Sequence, residues 1–206
     1  MKILLIVIVI IMLWSVWGYL SSNVEQAQYT VIKKTDEYEI RQYAAHIEAQ
    51  TTVEGSYDNA LNEGFSIIAK YIFGGNTKKE SIAMTAPVRE QKQSSEKIAM
   101  TAPVVASTQG DSRIISFVMP KNYSLATLPT PNDPRVRLVE VPEKKMAVLR
   151  FSWFRNSERI QKMEDQLLTS LAKDTVTTVG SPSYAGYNAP WTPPWMARNE
   201  VMIEIL

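Results

Sequence analysis

Apolar residues along the chain follow three patterns, and each pattern is typical of a different element. Residues 3–20 are apolar except for Ser15 and Gly18. Such a run predicts one helix of about 27 Å, which is close to the hydrocarbon thickness of a bilayer. Alternating apolar and polar side chains predict one strand over residues 29–43 and a second over residues 45–54. Further along the chain, apolar spacings of three and four predict two amphipathic helices.

The first of these helices is predicted from Tyr57 to Phe73. Ser56 is expected to cap it, and Gly74 and Gly75 are expected to supply a left-handed exit. The second is expected to be capped by Asn156 or Ser157 and to run to about Lys173. Its apolar stripe consists of Ile160, Met163, Leu167 and Leu171.

Strand-like stretches surround the two helices in a repeated order. Strands are predicted over residues 81–88, 97–106 and 113–119, then, after a Pro-rich loop (120–134), over 136–141, 145–153, 184–189 and 200–206. Two strands, a helix and more strands thus occur twice. The expected fold class is α+β, with a duplicated β-α-β unit whose two main helices pack on an antiparallel sheet.

The N-terminal run suggests a location for the protein. Lys2 and the α-amine mark the cytoplasmic side of a membrane helix, so the remaining chain would lie on the periplasmic or extracytoplasmic side. We therefore expect residues 1–22 to anchor the protein in the inner membrane, residues 23–28 to be a linker and residues 29–206 to form one domain. A cleaved signal peptide followed by export is the alternative, and a buried core helix is a third.

Composition excludes several functions. The sequence has no cysteine and one histidine, which excludes disulfides, iron–sulfur clusters, a Cys nucleophile and covalently attached c-type haem. Without Lys2, the 22 basic residues become 21 and balance the 21 acidic ones. No general positive field is then available to attract nucleic acid. No phosphate loop, nucleophile elbow or recognisable acid–base pair is present, so we expect no enzymatic activity.

A seven-residue sequence, Ile-Ala-Met-Thr-Ala-Pro-Val, occurs at residues 82–88 and again at 98–104. Its proline cannot donate to a β-ladder, so each copy is expected at a strand end, edge or bulge. In one interpretation the motif is structural and its methionine packs in the core. In the other, Met84 and Met100 present polarisable thioethers to a flat apolar ligand.

Four motifs, in this order, give the chain a specific resemblance. They are Tyr71–Asn76, the repeated Ile-Ala-Met-Thr-Ala-Pro-Val, Phe117–Tyr123 and Tyr187–Glu200. Together they resemble the SOUL haem-binding family over residues 29–206. The resemblance implies helices packed on a distorted antiparallel β-barrel or sheet, similar to bacterial effector-binding domains. It also implies reversible, non-covalent (b-type) binding of haem or another tetrapyrrole in an apolar groove.

In the family this groove is associated with the first helix of the domain, the following loop and neighbouring strands. The matching positions are Phe65, Ile68, Ala69 and Ile72 on the helix and Met84 and Met100 in the repeated motif. The same helical stripe is also what packing against a core requires. Basic residues at the rim would pair with haem propionates; the candidates are Lys78, Lys79, Arg89 and Lys97.

An early-strand histidine is considered an iron ligand in some family members, and His46 lies in a comparable region. Strand alternation groups His46 with Glu48, Gln50 and Thr52, so we expect it to face solvent. Ligation by methionine or tyrosine, or hydrophobic binding without a protein ligand, are the alternatives.

The C-terminal Pro/Trp-rich loop is expected to be architectural. Prolines stiffen it, the indoles of Trp191 and Trp195 would bury area, and Arg198 would pair with a carboxylate. An exposed aromatic platform for a ligand or partner is the alternative interpretation.

Two functions follow from these features. The first is a carrier, buffer or sensor of haem. The second is an interaction module that binds a protein segment or another amphipathic ligand, with haem binding incidental.

Overall fold

In the computed structural model the described residues are 2–21, 25–92, 112–188 and 191–206. They form three α-helices and nine strands in the order α1 (Lys2–Ser21), β1 (Tyr29–Lys34), β2 (Glu39–Tyr43), β3 (His46–Glu54), α2 (Tyr57–Ile72), β4 (Val88–Lys92), β5 (Ser112–Val118), β6 (Arg137–Val141), β7 (Lys144–Phe151), α3 (Ser157–Lys173), β8 (Thr178–Gly186) and β9 (Asn199–Ile205).

All nine strands belong to one curled antiparallel sheet, in the order β1-β2-β7-β9-β8-β4-β5-β3-β6. The order is symmetric about the β8–β4 junction, because β7, β9 and β8 on one side correspond to β3, β5 and β4 on the other. The helices occupy equivalent places along the chain, because α2 lies between β3 and β4 and α3 lies between β7 and β8. The predicted α+β class and the duplicated unit are confirmed.

Both amphipathic helices pack on one face of the sheet, which we call the helix face. α2 contacts β3 and β5, whereas α3 contacts β7, β8 and β9. Ile68 of α2 and Leu167 and Leu171 of α3 have no exposed surface, and they join one apolar core with Ile115 of β5. The helix and β5 approach closely at Gly64, where an added Cβ would lie 2.4 Å from Cγ1 of Ile115.

The other side of the sheet, here called the opposite face, has a smaller core. It contains Val118, Val148, Ala185 and Met202 together with the buried rings of Tyr43 and Tyr187. Several buried charged residues share this face, because every second residue of a strand points to the same side. They are Arg41, Glu48 and Glu200.

The single strand predicted over residues 29–43 is wrong, because β1 and β2 form a hairpin there. Thr35 turns the chain: its Oγ1 accepts hydrogen bonds from the amides of Glu37 and Tyr38, at 3.3 and 3.0 Å. Its own amide donates to the Tyr38 carbonyl at 2.9 Å. Threonine hydroxyls favour turns by offering amides this local partner.

The strands predicted around the repeated motif also differ from the structure. The 81–88 stretch contributes a bridge at Ser81, and the regular strand β4 starts only at Val88. Pro87 lacks an amide hydrogen and cannot join the ladder. Near the C-terminus, β8 begins at Thr178, earlier than the predicted 184–189 stretch. The predicted 97–106 strand, which includes Met100 and Lys97, lies outside the described residues.

Residues 2–21 form α1, as the sequence predicts. Within the described part of the chain, however, no helix has the length and apolarity that crossing a membrane requires. The predictions of a transmembrane signal-anchor and of inner-membrane localisation are therefore wrong.

The α1 helix contacts the Pro/Trp-rich loop of the domain. Nε1 of Trp14 donates to the Trp191 carbonyl at 2.9 Å, and the Trp14 and Trp195 rings meet edge to face at 5.3 Å. Gly18 is buried where an added Cβ would lie 2.6 Å from Cδ of Pro193. The helix thus packs closely on this loop.

Candidate functional site

A cleft of about 620 Å³ opens at one end of the sheet. This volume falls within the range of roughly 300–1,000 Å³ that is usual for small-molecule sites. Turns and strand ends from distant parts of the chain line it: residues 25–28, 44–47, 118–121 and 140–142, together with Thr85, Tyr123 and Ser124. We call it the main cleft.

Residues 25–28 form one wall of the main cleft. The Ala86 amide donates to the Glu25 carbonyl at 2.9 Å, and the Ala44 amide donates to the Gln28 carbonyl at 3.0 Å. The Glu25 carboxylate accepts from the Lys121 amide at 3.0 Å. Residues 25–28, which belong to the predicted 23–28 linker, are therefore held against neighbouring segments by these hydrogen bonds.

His46 lines the main cleft at the start of β3, but its side chain is only 12% exposed. Nδ1 donates to the Ala44 carbonyl at 2.8 Å, since a carbonyl can only accept. Nε2 lies 3.3 Å from a carboxylate oxygen of Glu48. The expectation that His46 faces solvent is wrong, because the curled sheet covers this side of the strand. Iron coordination by His46 would require one of these two contacts to break.

Glu48 sits beneath His46 as a buried acceptor. Arg89 also reaches the Glu48 carboxylate, at 3.3 Å, and the side-chain amide Nε2 of Gln50 donates to it at 2.9 Å. Burial alone would raise the pKa of Glu48. The hydrogen bond from His46, the charge of Arg89 and the Gln50 amide outweigh burial and lower the pKa to about 2. The carboxylate is therefore ionised at neutral pH and holds the His46 ring in place.

The far wall of the main cleft follows β5. The Met119 amide donates to the Ile47 carbonyl at 2.7 Å, and the Thr85 hydroxyl donates to the Val118 carbonyl. Tyr123 continues this wall, with its hydroxyl 3.3 Å from a carboxylate oxygen of Glu80. Desolvation and the neighbouring Glu80 charge raise the pKa of Tyr123. Histidine, methionine and tyrosine, which all occur as axial ligands of haem iron, thus line one cleft, and of these Met119 is 4% exposed and also packs in the helix-face core.

A second buried ionic group, formed by Arg41, Arg198 and Glu200 on the opposite face, contacts the wall at residues 25–28. Glu200 is fully buried and accepts from Arg41, Arg198 and the Tyr187 hydroxyl at 2.9, 2.9 and 2.7 Å. Arg198 also donates to Gln26 at 2.9 Å. The predicted pairing of Arg198 with a carboxylate is confirmed, and it connects the C-terminal motif to the wall of the cleft.

The α2 residues predicted to touch a ligand divide into two groups. Ile68 and Ile72 are 0% and 1% exposed and belong to the core. Phe65 is 39% exposed, and its ring lies 5.4 Å from the Phe117 ring at an angle of 53°, whereas Ala69 is half-buried. Met84 is half-buried and packs against the helix-face core. Phe65, Ala69 and Met84 keep an accessible surface, but none of them lines the main cleft.

The predicted basic residues also lie in different places. Arg89 is brought to His46, because both contact the Glu48 carboxylate. Lys78 and Lys79 lie on the exposed loop after α2, where Lys78 reaches the Thr127 carbonyl at 3.4 Å. Lys121, which sequence reasoning missed as a rim residue, lines the main cleft. The signal was available, since Met119, Lys121 and Tyr123 all belong to the Phe117–Tyr123 motif.

Solved structures with a similar fold place the domain in a known structural class. The C-terminal domain of EcmrR has a TM-score of 0.59 at 10% identity, over 86% of this chain and 98% of that domain. An uncharacterised conserved protein from Listeria innocua has a TM-score of 0.54 at 10% identity, over 82% and 92%. These similarities define the class: an α+β domain with helices on a curled antiparallel sheet.

Sequence comparison gives the family. Heme-binding protein 2 from Homo sapiens is 31% identical, over 74% of this chain and 71% of that protein. The family model for SOUL heme-binding proteins matches residues 24–204. The chain belongs to the SOUL heme-binding protein family, and the expected resemblance is confirmed. Family membership supports haem or tetrapyrrole binding as the general function.

Proposed function

We propose that the chain binds haem or a related tetrapyrrole non-covalently in the main cleft, as a carrier or buffer and without catalysing a reaction. The observation that supports this site is the presence of His46, Met119 and Tyr123 in one cleft of about 620 Å³. Because the sequence has no cysteine, a thioether link to haem is not available. Haem would bring an iron and a large apolar macrocycle to this cleft.

The residues of the main cleft suit such a ligand in three ways. The apolar part of the wall consists of Val118, Met119 and Pro120, of which Val118 and Met119 are 5% and 4% exposed, and Lys121 offers an ammonium group to a propionate. The amide of Lys121 is held by Glu25, which fixes the start of this loop. His46, Met119 or Tyr123 would supply an iron ligand. His46 would have to release either the Ala44 carbonyl or the Glu48 carboxylate, and the remaining contact would then orient the ring.

The test compares the main cleft with the accessible side of α2. Haem is titrated into the full chain and followed by absorbance, for the parent and for Ala45→Trp and Ala69→Trp. Ala45 is an exposed residue of the main cleft, so the indole at that position would fill it. We expect saturation at one equivalent and at least tenfold weaker binding for Ala45→Trp only.

The opposite result, weaker binding for Ala69→Trp only, would place the binding site on the accessible side of α2, near Phe65 and Met84. Absence of saturable binding to the parent protein would contradict the tetrapyrrole function and favour an interaction module. If the main cleft is confirmed, His46→Ala, Met119→Leu and Tyr123→Phe identify the iron ligand. The variant that loses the Soret shift of the parent complex has lost that ligand.

A further inference from the structure

A second cleft, of about 330 Å³, lies where α1, the loop at residues 152–155 and the C-terminal Pro/Trp-rich loop meet. Its walls are aromatic: the rings of Trp14, Trp153 and Phe154 line it. Trp153 and Phe154 are 52% and 71% exposed, so these rings are not used to fill a core. We call this the aromatic cleft. It shares no lining residue with the main cleft.

The aromatic walls are held in position by specific contacts. Trp153 has a φ of 77°, a left-handed conformation that a bulky side chain rarely adopts. Its amide donates to the Pro194 carbonyl at 2.9 Å, and its carbonyl accepts from Nδ2 of Asn199 at 3.1 Å. Trp14 is fixed by its hydrogen bond to the Trp191 carbonyl. A strained backbone that presents an exposed indole is typical of functional positions.

A buried hydroxyl in this cleft has no protein partner. Thr192 is 7% exposed and lines the aromatic cleft, and its Oγ1 forms no hydrogen bond with any residue that the structure describes. Buried polar groups are nearly always paired, because an unpaired one has lost its hydration without compensation. The Thr192 hydroxyl is therefore an unused hydrogen-bond donor at the wall of the aromatic cleft.

Charge identifies the class of ligand. Arg155 is the only ionisable side chain among the described residues that line the aromatic cleft, and its Nη1 is anchored at 3.5 Å from the Tyr184 hydroxyl. Guanidinium groups pair strongly with carboxylates. A volume of about 330 Å³ lies at the lower end of the range for ligand sites, which suits one or two fused rings.

We propose that the aromatic cleft is a second binding site, separate from the tetrapyrrole site, that takes a small planar aromatic carboxylate. The rings of Trp14, Trp153 and Phe154 contact the ligand's aromatic system. Arg155 pairs with the carboxylate, and the Thr192 hydroxyl donates a hydrogen bond to it. The site also gives the C-terminal Pro/Trp-rich loop a binding role, in addition to its packing against α1.

The test uses 2-naphthoate as the probe, with the haem-free full chain, and follows tryptophan fluorescence and ligand-detected NMR. We expect saturable binding of one equivalent and at least tenfold weaker binding of 2-naphthamide, which lacks the charge. Arg155→Gln should weaken binding at least tenfold. Arg150→Gln, an exposed arginine on β7 outside the cleft, is the matched control and should leave binding unchanged.

Thr192→Val separates binding from packing, because it keeps the shape of the side chain and removes the hydroxyl. We expect several-fold weaker naphthoate binding with an unchanged or higher unfolding midpoint, since an unsatisfied hydroxyl costs stability. The proposal is overturned if the parent does not saturate, or if Arg155→Gln and Thr192→Val bind as the parent does. Competition by one equivalent of haem would also overturn it, because naphthoate would then occupy the main cleft.

Discussion

The two faces of the sheet are built from different chemistry. The helix face is closed by α2 and α3 over a continuous apolar core that includes Ile68, Ile115 and Leu167. The opposite face buries ionic groups instead: Arg41 and Glu200 are 3% and 0% exposed. A buried charge is stable only when its partners are correctly placed, and removing one partner leaves the other charge buried without compensation. The opposite face is therefore where single substitutions should reveal the most about the cleft.

The largest effect is expected for Glu200→Gln. Glu200 is the common acceptor of Arg41 and Arg198, so its neutralisation takes the described counter-charge from Arg198 and leaves Arg41 with Glu39 alone. Breaking a buried ion pair in this way costs about 3–5 kcal/mol. Urea denaturation of the variant and parent at pH 7 measures the difference in the free energy of unfolding.

Glu204→Gln is the matched control for this prediction. Glu204 lies on β9, as Glu200 does. Its carboxylate pairs with Lys144 of β7 at 2.6 Å, but the Glu204 side chain is 35% exposed. An ion pair with this exposure contributes about 1 kcal/mol or less. Similar losses for the two variants would show that the buried ionic group of the opposite face is no more important than a surface pair.

The next effect depends on pH. The pKa of Glu48 in the folded protein, about 2, lies below its ordinary value of 4.5, so its ionised form stabilises the fold. This contribution, on the order of 3 kcal/mol, is present above about pH 5 and is lost as the pH falls towards 2. The free energy of unfolding of the parent should therefore fall more steeply between pH 5 and 3 than that of Glu48→Gln. Parallel curves for the two proteins would contradict the assignment of Glu48 as a stabilising carboxylate.

On the helix face the expected effect comes from close packing. Alanine normally favours a helix by about 1 kcal/mol over glycine. In Gly64→Ala the new methyl group would lie 2.4 Å from Cγ1 of Ile115, so we expect a net loss of about 1–3 kcal/mol. Asn62→Ala, at an exposed position of the same helix, is the control and should not destabilise the protein. A gain in stability for Gly64→Ala would show that α2 can move away from β5.

The helix face was largely predictable from the sequence, and the reason is periodicity. Stripes such as Leu167 and Leu171 mark both the helix and its buried side, and the helix Ser157–Lys173 has the predicted bounds. Turns set by one side chain were less visible. The hydroxyl of Thr35 reverses the chain inside a continuous alternating pattern, so a hairpin was predicted as one strand.

The cleft could be predicted only in part, because its walls come from segments far apart in sequence. Nothing in the local pattern near Gln26 indicates that Arg198 reaches it from the C-terminal motif. The alternation around His46 indicates a wet face, and only the curl of the sheet shows that this face is covered. The lowered pKa of Glu48 was not predictable for the same reason, because it depends on Arg89 of β4 as well as on His46 of β3.

The smallest effect concerns how the two helices of the helix face begin. Both are preceded by a residue suited to capping, and the sequence predicts a cap for each. The Asn156 side chain accepts from the Arg159 amide at 2.8 Å, whereas Ser56 makes no side-chain cap hydrogen bond. Asn156→Ala should therefore cost about 1 kcal/mol in the free energy of unfolding, and Ser56→Ala close to zero. Equal losses from the two substitutions, measured by urea denaturation, would mean that Ser56 caps α2 in solution and that the two helix starts are equivalent.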